Sequence, residues 1–513
     1  MGDIYRNASR VIIWLGNIEP YESAKAFDAV CKLVNNWDRT GSASYHTKPR
    51  PKQWYDDELA SRYYDFRCPD FVPIFEANWF ERRWVLQEAV LAREAIVVVP
   101  GASISWKWIM VASGILRTRH LQAIIKNGIH TNVCNAYLMA RLSGNMALPA
   151  LKPNFLHLLR LTTEFKTTEP LDILYGLYGL VSDIKQTAQE LLPPVNYTWT
   201  PEELMRQITE TFISLPKPLA FLSDVGGDQT PSWLPHYGQK NYTMLDPWAL
   251  DGSAFNPAAT LSFKRWPTEN KSELVVEGIH FSPVVETFPL LFDLDQRDQT
   301  MVRLISLAQT FKPDIGDFER LSVLSRTLTG GRDSYGQRNQ NRSGYARDLA
   351  DFLFEWQRSC MFKWQQSCLF QWQWSCLLEW QRSYKADSGL LGFMHLRELK
   401  VDGRFERFVE VARMICGRRS LFVTESGHLG LGPDALRIGD VVYALAGAPM
   451  LHLLRSTSVG YRLIGDCFID SLMDGEMVDM LDNAALLEKS SVISGSGEPA
   501  SQNLPKVCVV TLI

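Results

Sequence analysis

The residue with the clearest chemical potential is Glu88. It lies in the stretch Asn78–Gly101, NWFERRWVLQEAVLAREAIVVVPG, where its neighbours at helical spacing are Trp84, Val85, Leu91 and Ala92. None of the four is charged, so a helix here leaves the carboxylate without a local basic partner. A carboxylate in such surroundings is either neutralised by a distant cation or used for function. The plainer alternative is a core glutamate satisfied by Arg82 or Arg83 of a packed neighbour, or by a backbone amide. Other acids have simpler explanations. Asp172 opens a predicted helix, where the macrodipole favours a negative charge. Asp474, Glu476 and Asp479 follow the last predicted strand, and three acids on an exposed loop are ordinarily solvated, so no metal is assigned to them. His236 sits in a loop and is given no ligand.

The elements that must hold Glu88 can be read from periodicity. Between Trp79 and Arg93 apolar residues fall on almost every face at 100° per residue, which predicts a helix enclosed on all sides. Ala95–Val99, AIVVV, is apolar on both faces and ends at Pro100-Gly101, the pattern of an interior parallel strand. Upstream, MGDIYRNA reads as a helix end and VIIWLG (11–16) as a buried strand. A helix is predicted over Tyr21–Lys32, a loop over Asn35–Glu58, and helices over Trp106–Leu116 and Leu121–Ile129. In EPLDILYGLYGLVSD (169–183) the apolar spacing is helical, and Gly176 and Gly179 allow close helix packing. Thr200, Pro201 and Glu203 together signal a helix start.

Three separated blocks also carry a family resemblance. WFERRWVLQEAVLA, MGDIYRNASRVIIWLG at the start and EPLDILYGLYGL at 169–180 resemble the HET (heterokaryon incompatibility) domain of filamentous fungi. The resemblance implies an α/β fold related to the TIR domain, whose enzymatic members cleave NAD with a glutamate in a W-x-x-x-E pattern. Trp84 and Glu88 stand in that pattern. It thus implies Glu88 as the catalytic group and Trp84 as a ring stacking on nicotinamide. The family's first strands have no counterpart before residue 1, which implies a domain lacking them and no NAD cleavage by the chain as given. At 169–173 the chain has Glu169, Leu171 and Ile173 where the family has one acidic and two basic residues, so two cations are lost. TPSWLPHY (230–237), GRRSLFVTESGHLGLGP, GDVVYALAG and DSLMDGEMV resemble later segments of the same proteins. The implied role is fungal vegetative incompatibility and programmed cell death, with other incompatibility proteins or further copies of the chain as partners. A non-enzymatic recognition or oligomerisation module, or an inert truncated paralogue, is the alternative.

The expected fold class is α/β, an incomplete TIR-like HET domain, followed by an α+β middle region and a small, mainly antiparallel β module. The expected domains are 1–215 (HET domain), 216–328 (middle region), 329–344 (a Gly-rich polar linker), 345–415 (helical), 416–487 (β module) and 488–513 (tail). ELVVEGIHFSPVVE (273–286) reads as one strand or a bent pair around Gly278, and Leu304–Phe311 and Phe318–Leu328 as short helices. Within 345–415 Trp356, Trp364, Trp372 and Trp380 recur every eight residues with Cys360, Cys368 and Cys376 midway between them. The expected reading is a tandem duplication that extends a helix and adds no chemistry; redox sensing by the three thiols is the alternative, supported only by their spacing.

Composition narrows the rest. In 513 residues, charged side chains make up 21% and hydrophobic ones 46%, as in globular proteins, which excludes wholesale disorder. A net charge of −4 offers no electrostatic basis for nucleic-acid binding. The nine cysteines include no C-x-x-C, which points away from zinc and disulfides and toward a reduced, cytoplasmic setting. No apolar run approaches the roughly 18 residues of a membrane span. No cofactor is assigned.

Overall fold

The computed structural model describes residues 1–39, 66–144, 150–181, 192–215, 217–225, 230–235, 237, 255–290, 316–333, 338, 341–366, 405–483 and 505–513. The chain divides into two compact units, Met1–Ile208 with Tyr237–Gln239, and Thr209–His236 with Lys240–Ile513. The fold is mixed: helices around a small sheet in the first unit, strands and helices in the second.

The first unit begins with α1 (Gly2–Asn7), β1 (Val11–Trp14) and α2 (Pro20–Arg39). The short helices α3 (Val72–Phe75) and α4 (Val85–Val90) precede β2 (Ala95–Val99) and β3 (Ala102–Ser105). Strand β1 runs parallel to β2, with Val11 opposite Ala95 and Trp14 opposite Val98. Strand β2 turns antiparallel into β3 through Gly101, whose φ of 77° favours glycine. β2 is therefore interior, as expected, but parallel on one side only. Its two faces also differ. Val97 and Val99 are buried while Ile96 and Val98 are partly exposed, on the side where Ile12 and Trp14 of β1 are exposed.

The single helix expected over 79–93 is not formed. A 3-10 turn covers Asn78–Glu81, Arg82 is extended (φ −80°, ψ 137°), and α4 then adds six residues. The cause is a distant strand-like pairing. The Arg83 N–H donates to the Lys166 carbonyl at 2.9 Å and the Lys166 N–H to the Glu81 carbonyl at 2.6 Å. Backbone groups committed to Lys166 are not available to an uninterrupted helix.

This break places Arg83 in the interior, 2% exposed. The remaining helices are α5 (Trp106–Arg119), α6 (Leu121–Lys126), α7 (His130–Ser143), α8 (Phe155–Leu161), α9 (Asp172–Val181) and α10 (Pro201–Ile213). The guanidinium of Arg83 donates to the Ile173 carbonyl through Nε at 3.1 Å and Nη2 at 2.5 Å, and through Nη1 to the carbonyl of Thr162, which caps α8. A helix C-terminus concentrates partial negative charge, which suits a buried cation. Burial pulls the guanidinium down to about 9, so it keeps its proton at neutral pH. Gly176 leaves the room it needs: a Cβ there would lie 2.9 Å from Arg83 Cγ. One turn later Gly179 lets α1 and Gln87 of α4 come close, a Cβ meeting Gln87 Oε1 at 2.6 Å and Gly2 Cα at 3.1 Å. The two glycines thus serve the close packing that their spacing suggests. Buried asparagines of α7 hold the broken segment from the other side, Asn132 donating to the Phe75 carbonyl at 2.7 Å and Asn135 to that of Phe80 at 3.0 Å. At the start of α10, Thr200 and Glu203 form the reciprocal capping box, at 2.7 and 3.2 Å.

The second unit is built on one large sheet with helices against it. Its elements are β4 (Arg265–Trp266), β5 (Leu274–Pro289), α11 (Asp317–Leu328), α12 (Arg342–Gln366), α13 (Phe405–Cys416), β6 (Arg419–Thr424), β7 (Leu429–Pro433), β8 (Val441–Leu445), β9 (Leu451–Ser456), β10 (Tyr461–Cys467) and β11 (Lys506–Leu512). Strands β5, β8, β9, β10 and β11 follow one another, and β11 pairs back onto β5, which closes these five strands into a ring. The long strand β5 changes register twice, between His280 and Pro283 and between Val284 and Glu286. After the second shift it pairs with β6. Outside the ring, Val442, Ala444, Leu451 and Leu453 share one hydrophobic core with Leu324 and Leu328 of α11, Leu349 of α12 and Val411 of α13.

This sheet gathers stretches that the sequence reading keeps apart, since β5 comes from the expected middle region and β11 from the expected tail. The stretch expected to be a linker is also partly buried. Arg332 is 1% exposed and stacks its guanidinium over Phe255 at 4.7 Å, and Arg338 stacks on the same ring at 4.3 Å. Cation–π stacking takes up charges that composition alone assigns to solvent. Arg338 also pairs with Asp474. The backbone of the Trp/Cys repeat is helical as far as Gln366. Trp372, Trp380, Cys368 and Cys376, the loop core 40–58, the expected helix Leu304–Phe311 and His236 lie outside the described residues.

Two substitutions test the packing of the first unit by urea denaturation. Arg83→Leu strands the carbonyls of Thr162 and Ile173 and is expected to cost roughly 2–4 kcal/mol. Gly176→Leu drives a side chain into the Arg83 stem and is expected to cost about 1–3 kcal/mol. A change within 0.5 kcal/mol for either would contradict the arrangement.

Candidate functional site

Because the helix breaks at Arg82, Glu88 stands in the first turn of α4 and is partly exposed rather than enclosed. Its Oε2 accepts from the indole Nε1 of Trp79 at 3.2 Å, and its carboxylate also bonds the phenol of Tyr5 on α1. Burial, together with the charge and hydrogen bond of Glu88, raises the Tyr5 phenol above its ordinary value, with Arg82 opposing in part. Both partners of Glu88 are neutral donors, and among the described residues it forms no ion pair. Neither Arg82 nor Arg83 neutralises it. Arg83 is spent on the carbonyls of Thr162 and Ile173.

Trp84 is placed differently from Trp79. Its indole Nε1 donates to Asp172 Oδ2 at 2.8 Å, and the other oxygen of Asp172 accepts from Tyr197 at 2.8 Å. Tyr197 is pushed up to about 12, by desolvation first and then by Asp172. Tyr175 packs edge-on against Tyr197 with centroids 5.2 Å apart, and its hydroxyl bonds the backbone of Asn196. Asp172 thus does more than complement a helix dipole: it fastens Trp84 and Tyr197 to the N-terminus of α9.

The first unit therefore presents two carboxylates, each gripped by one indole N–H and one phenol O–H. Glu88 has Trp79 and Tyr5; Asp172 has Trp84 and Tyr197. The neutral donors orient each carboxylate without cancelling its charge, which leaves both able to meet a cation or a hydroxyl. Sequence reasoning found Glu88, Trp84 and Asp172 but missed Tyr5, Trp79 and Tyr197. The spacing of Trp79 and Glu88, nine positions apart, is not a contact spacing on an uninterrupted helix, and only the break brings them together.

Comparison with known proteins gives two family matches. Residues 1–88 match the heterokaryon incompatibility protein (HET) family, and residues 344–485 match the Het-6 beta-barrel domain. The second match holds α12 through β10, to which the structure adds β5 and β11 as ring strands. The chain is also similar to heterokaryon incompatibility protein 6, OR allele, of Neurospora crassa, at 22% identity over 93% of this chain and 78% of that protein. No solved structure matches. The chain thus carries a HET-family match at its start and a Het-6 barrel match over most of its large sheet, and along nearly its whole length it is similar to a heterokaryon incompatibility protein.

Proposed function

We propose that this protein acts in fungal heterokaryon incompatibility as a cell-death signalling protein, with Glu88 as the acting carboxylate of its HET domain. The observation that carries the role is the pairing of HET and Het-6 barrel matches on one chain that aligns along nearly its whole length with a relative named for incompatibility. Other incompatibility proteins or further copies of the chain are its partners in this reading. The parallel β1–β2 pair with α2 in the connection between them is the kind of unit from which a TIR-like sheet is made, and that kinship supplies the chemistry. In a domain completed by the family's first strands, Glu88, oriented by Trp79 and Tyr5 and in no ion pair among the described residues, would hold a ribose hydroxyl and stabilise positive charge on the ribose as the nicotinamide bond of NAD breaks. Trp84, tied to Asp172, would offer its ring face to the nicotinamide. A recognition or assembly module that uses the same surface without cleavage is the second reading, supported by the full engagement of Trp84 and Tyr197 with Asp172.

Expression in a filamentous fungus, scoring death and cellular NAD together, separates these readings. Glu88→Gln keeps an acceptor for Trp79, so its melting curve is expected to stay within about 1 kcal/mol of the parent. Death is expected to disappear with this change. NAD loss that disappears with it marks cleavage, and death without NAD loss marks assembly. A stably folded Glu88→Gln protein that still kills would refute the role given to Glu88.

A further inference from the structure

Inside the ring of the second unit, side chains on alternate positions line up across neighbouring strands. Tyr443 of β8 stands opposite His452 of β9, which stands opposite Asp466 of β10; on the other side Tyr443 stands opposite His280 of β5. The intervening residues Ala444, Leu451, Leu453 and Cys467 belong to the core outside the ring, so this row faces inward. His452 is fully buried; no side chain bonds its ring nitrogens, and the backbone of Met450 is the hydrogen-bonding group nearest to them. Asp466, 3% exposed, accepts from Arg419 Nη2 through Oδ1 at 2.5 Å, while its Oδ2 is without a partner. Arg419 of β6 also donates to the Asp466 carbonyl at 3.0 Å.

The charges around His452 are few. Asp466 is the carboxylate that acts on it, and Arg419 already engages that carboxylate. Tyr443, bonded to Tyr461 of β10 and Cys508 of β11, brings a neutral phenol. Cys467 beside Asp466 has its thiol raised by burial and stays neutral. His280, beyond Tyr443, feels Lys506 of β11. A proton on His452 would set two buried cations against one carboxylate, a poor balance in a dry interior.

We propose that the β9–β10 pairing is an acid-sensitive fastening of the barrel, shut while the buried His452 imidazole is neutral and released when that imidazole is protonated. Burial pulls His452 down to about 4 from an ordinary 6.5, and Asp466 and the Met450 backbone reverse this only in part. The folded value is the depressed one, so the opened strands take up the proton first. The fastening is complete above pH 6.5 and is lost as the pH falls from 6.5 toward 4. Release would uncover Leu445, Leu454 and Leu463, which are buried on the inner face, and so offer an apolar surface that neutral conditions hide.

Amide hydrogen exchange on the full chain, corrected for intrinsic rates, tests this. Protection of peptides covering 451–467 is expected to fall roughly tenfold between pH 7 and 5.5, a range above ordinary carboxylate titration, and on the order of 50- to 100-fold by pH 4.5. Peptides covering 95–105 in the first unit serve as the internal control. His452→Gln, which cannot charge, is expected to abolish the fall between pH 7 and 5.5. Should that variant not fold, His452→Phe, placed against Tyr443, is expected to do the same. Flat protection of 451–467 in the parent, or an undiminished fall in either folded variant, would overturn the proposal.

Discussion

A single buried cation organises the first unit. Arg83 reaches two carbonyls of separate helices from a backbone position fixed by Lys166, and so joins three parts of the chain in one side chain. Because it pairs with carbonyls and not with a carboxylate, it makes no claim on either acid of the site. Glu88, five residues on, is left to neutral donors for that reason. Had Arg83 turned toward Glu88, the result would be a buried ion pair of little net worth and a carboxylate unavailable for other contacts.

The glycines of α9 are the counterpart of that cation. Gly176 admits the Arg83 stem and Gly179 admits Gln87 and Gly2, so α1, α4 and α9 approach more closely than side chains would allow. Tyr5 on α1 thereby comes within hydrogen-bond reach of Glu88 on α4. The geometry of the carboxylate follows from the absence of two methyl groups elsewhere.

Much of this was legible in the sequence where the signal is local. The Thr200–Glu203 capping box, the strand VIIW and the helix carrying Gly176 and Gly179 follow from turn chemistry and periodicity. So does the run of strands from Arg419 to Cys467. What failed were statements that depend on a remote partner. The break at Arg82 requires Lys166, whose side chain meets that of Glu81 across 85 residues. The burial of Arg332 requires a phenylalanine ring 4.7 Å away, and polar composition gives no hint of it. Of the site, Glu88, Trp84 and Asp172 stood out by residue type, whereas Tyr5 and Tyr197 look ordinary until the fold brings each to its carboxylate.

The closure of the ring has a consequence for how the second unit folds. Cys508 of β11 contacts the Gly278 carbonyl of β5 across 230 residues, so the final pairing must wait for a strand synthesised long after its partner. Loop-closure entropy and high contact order make such a step slow. Until it occurs, β5 and β10 are unpaired strand edges with apolar residues behind them, the kind of surface that recruits other chains. A nascent or nicked chain lacking β11 is thus expected to be more prone to association than the closed protein.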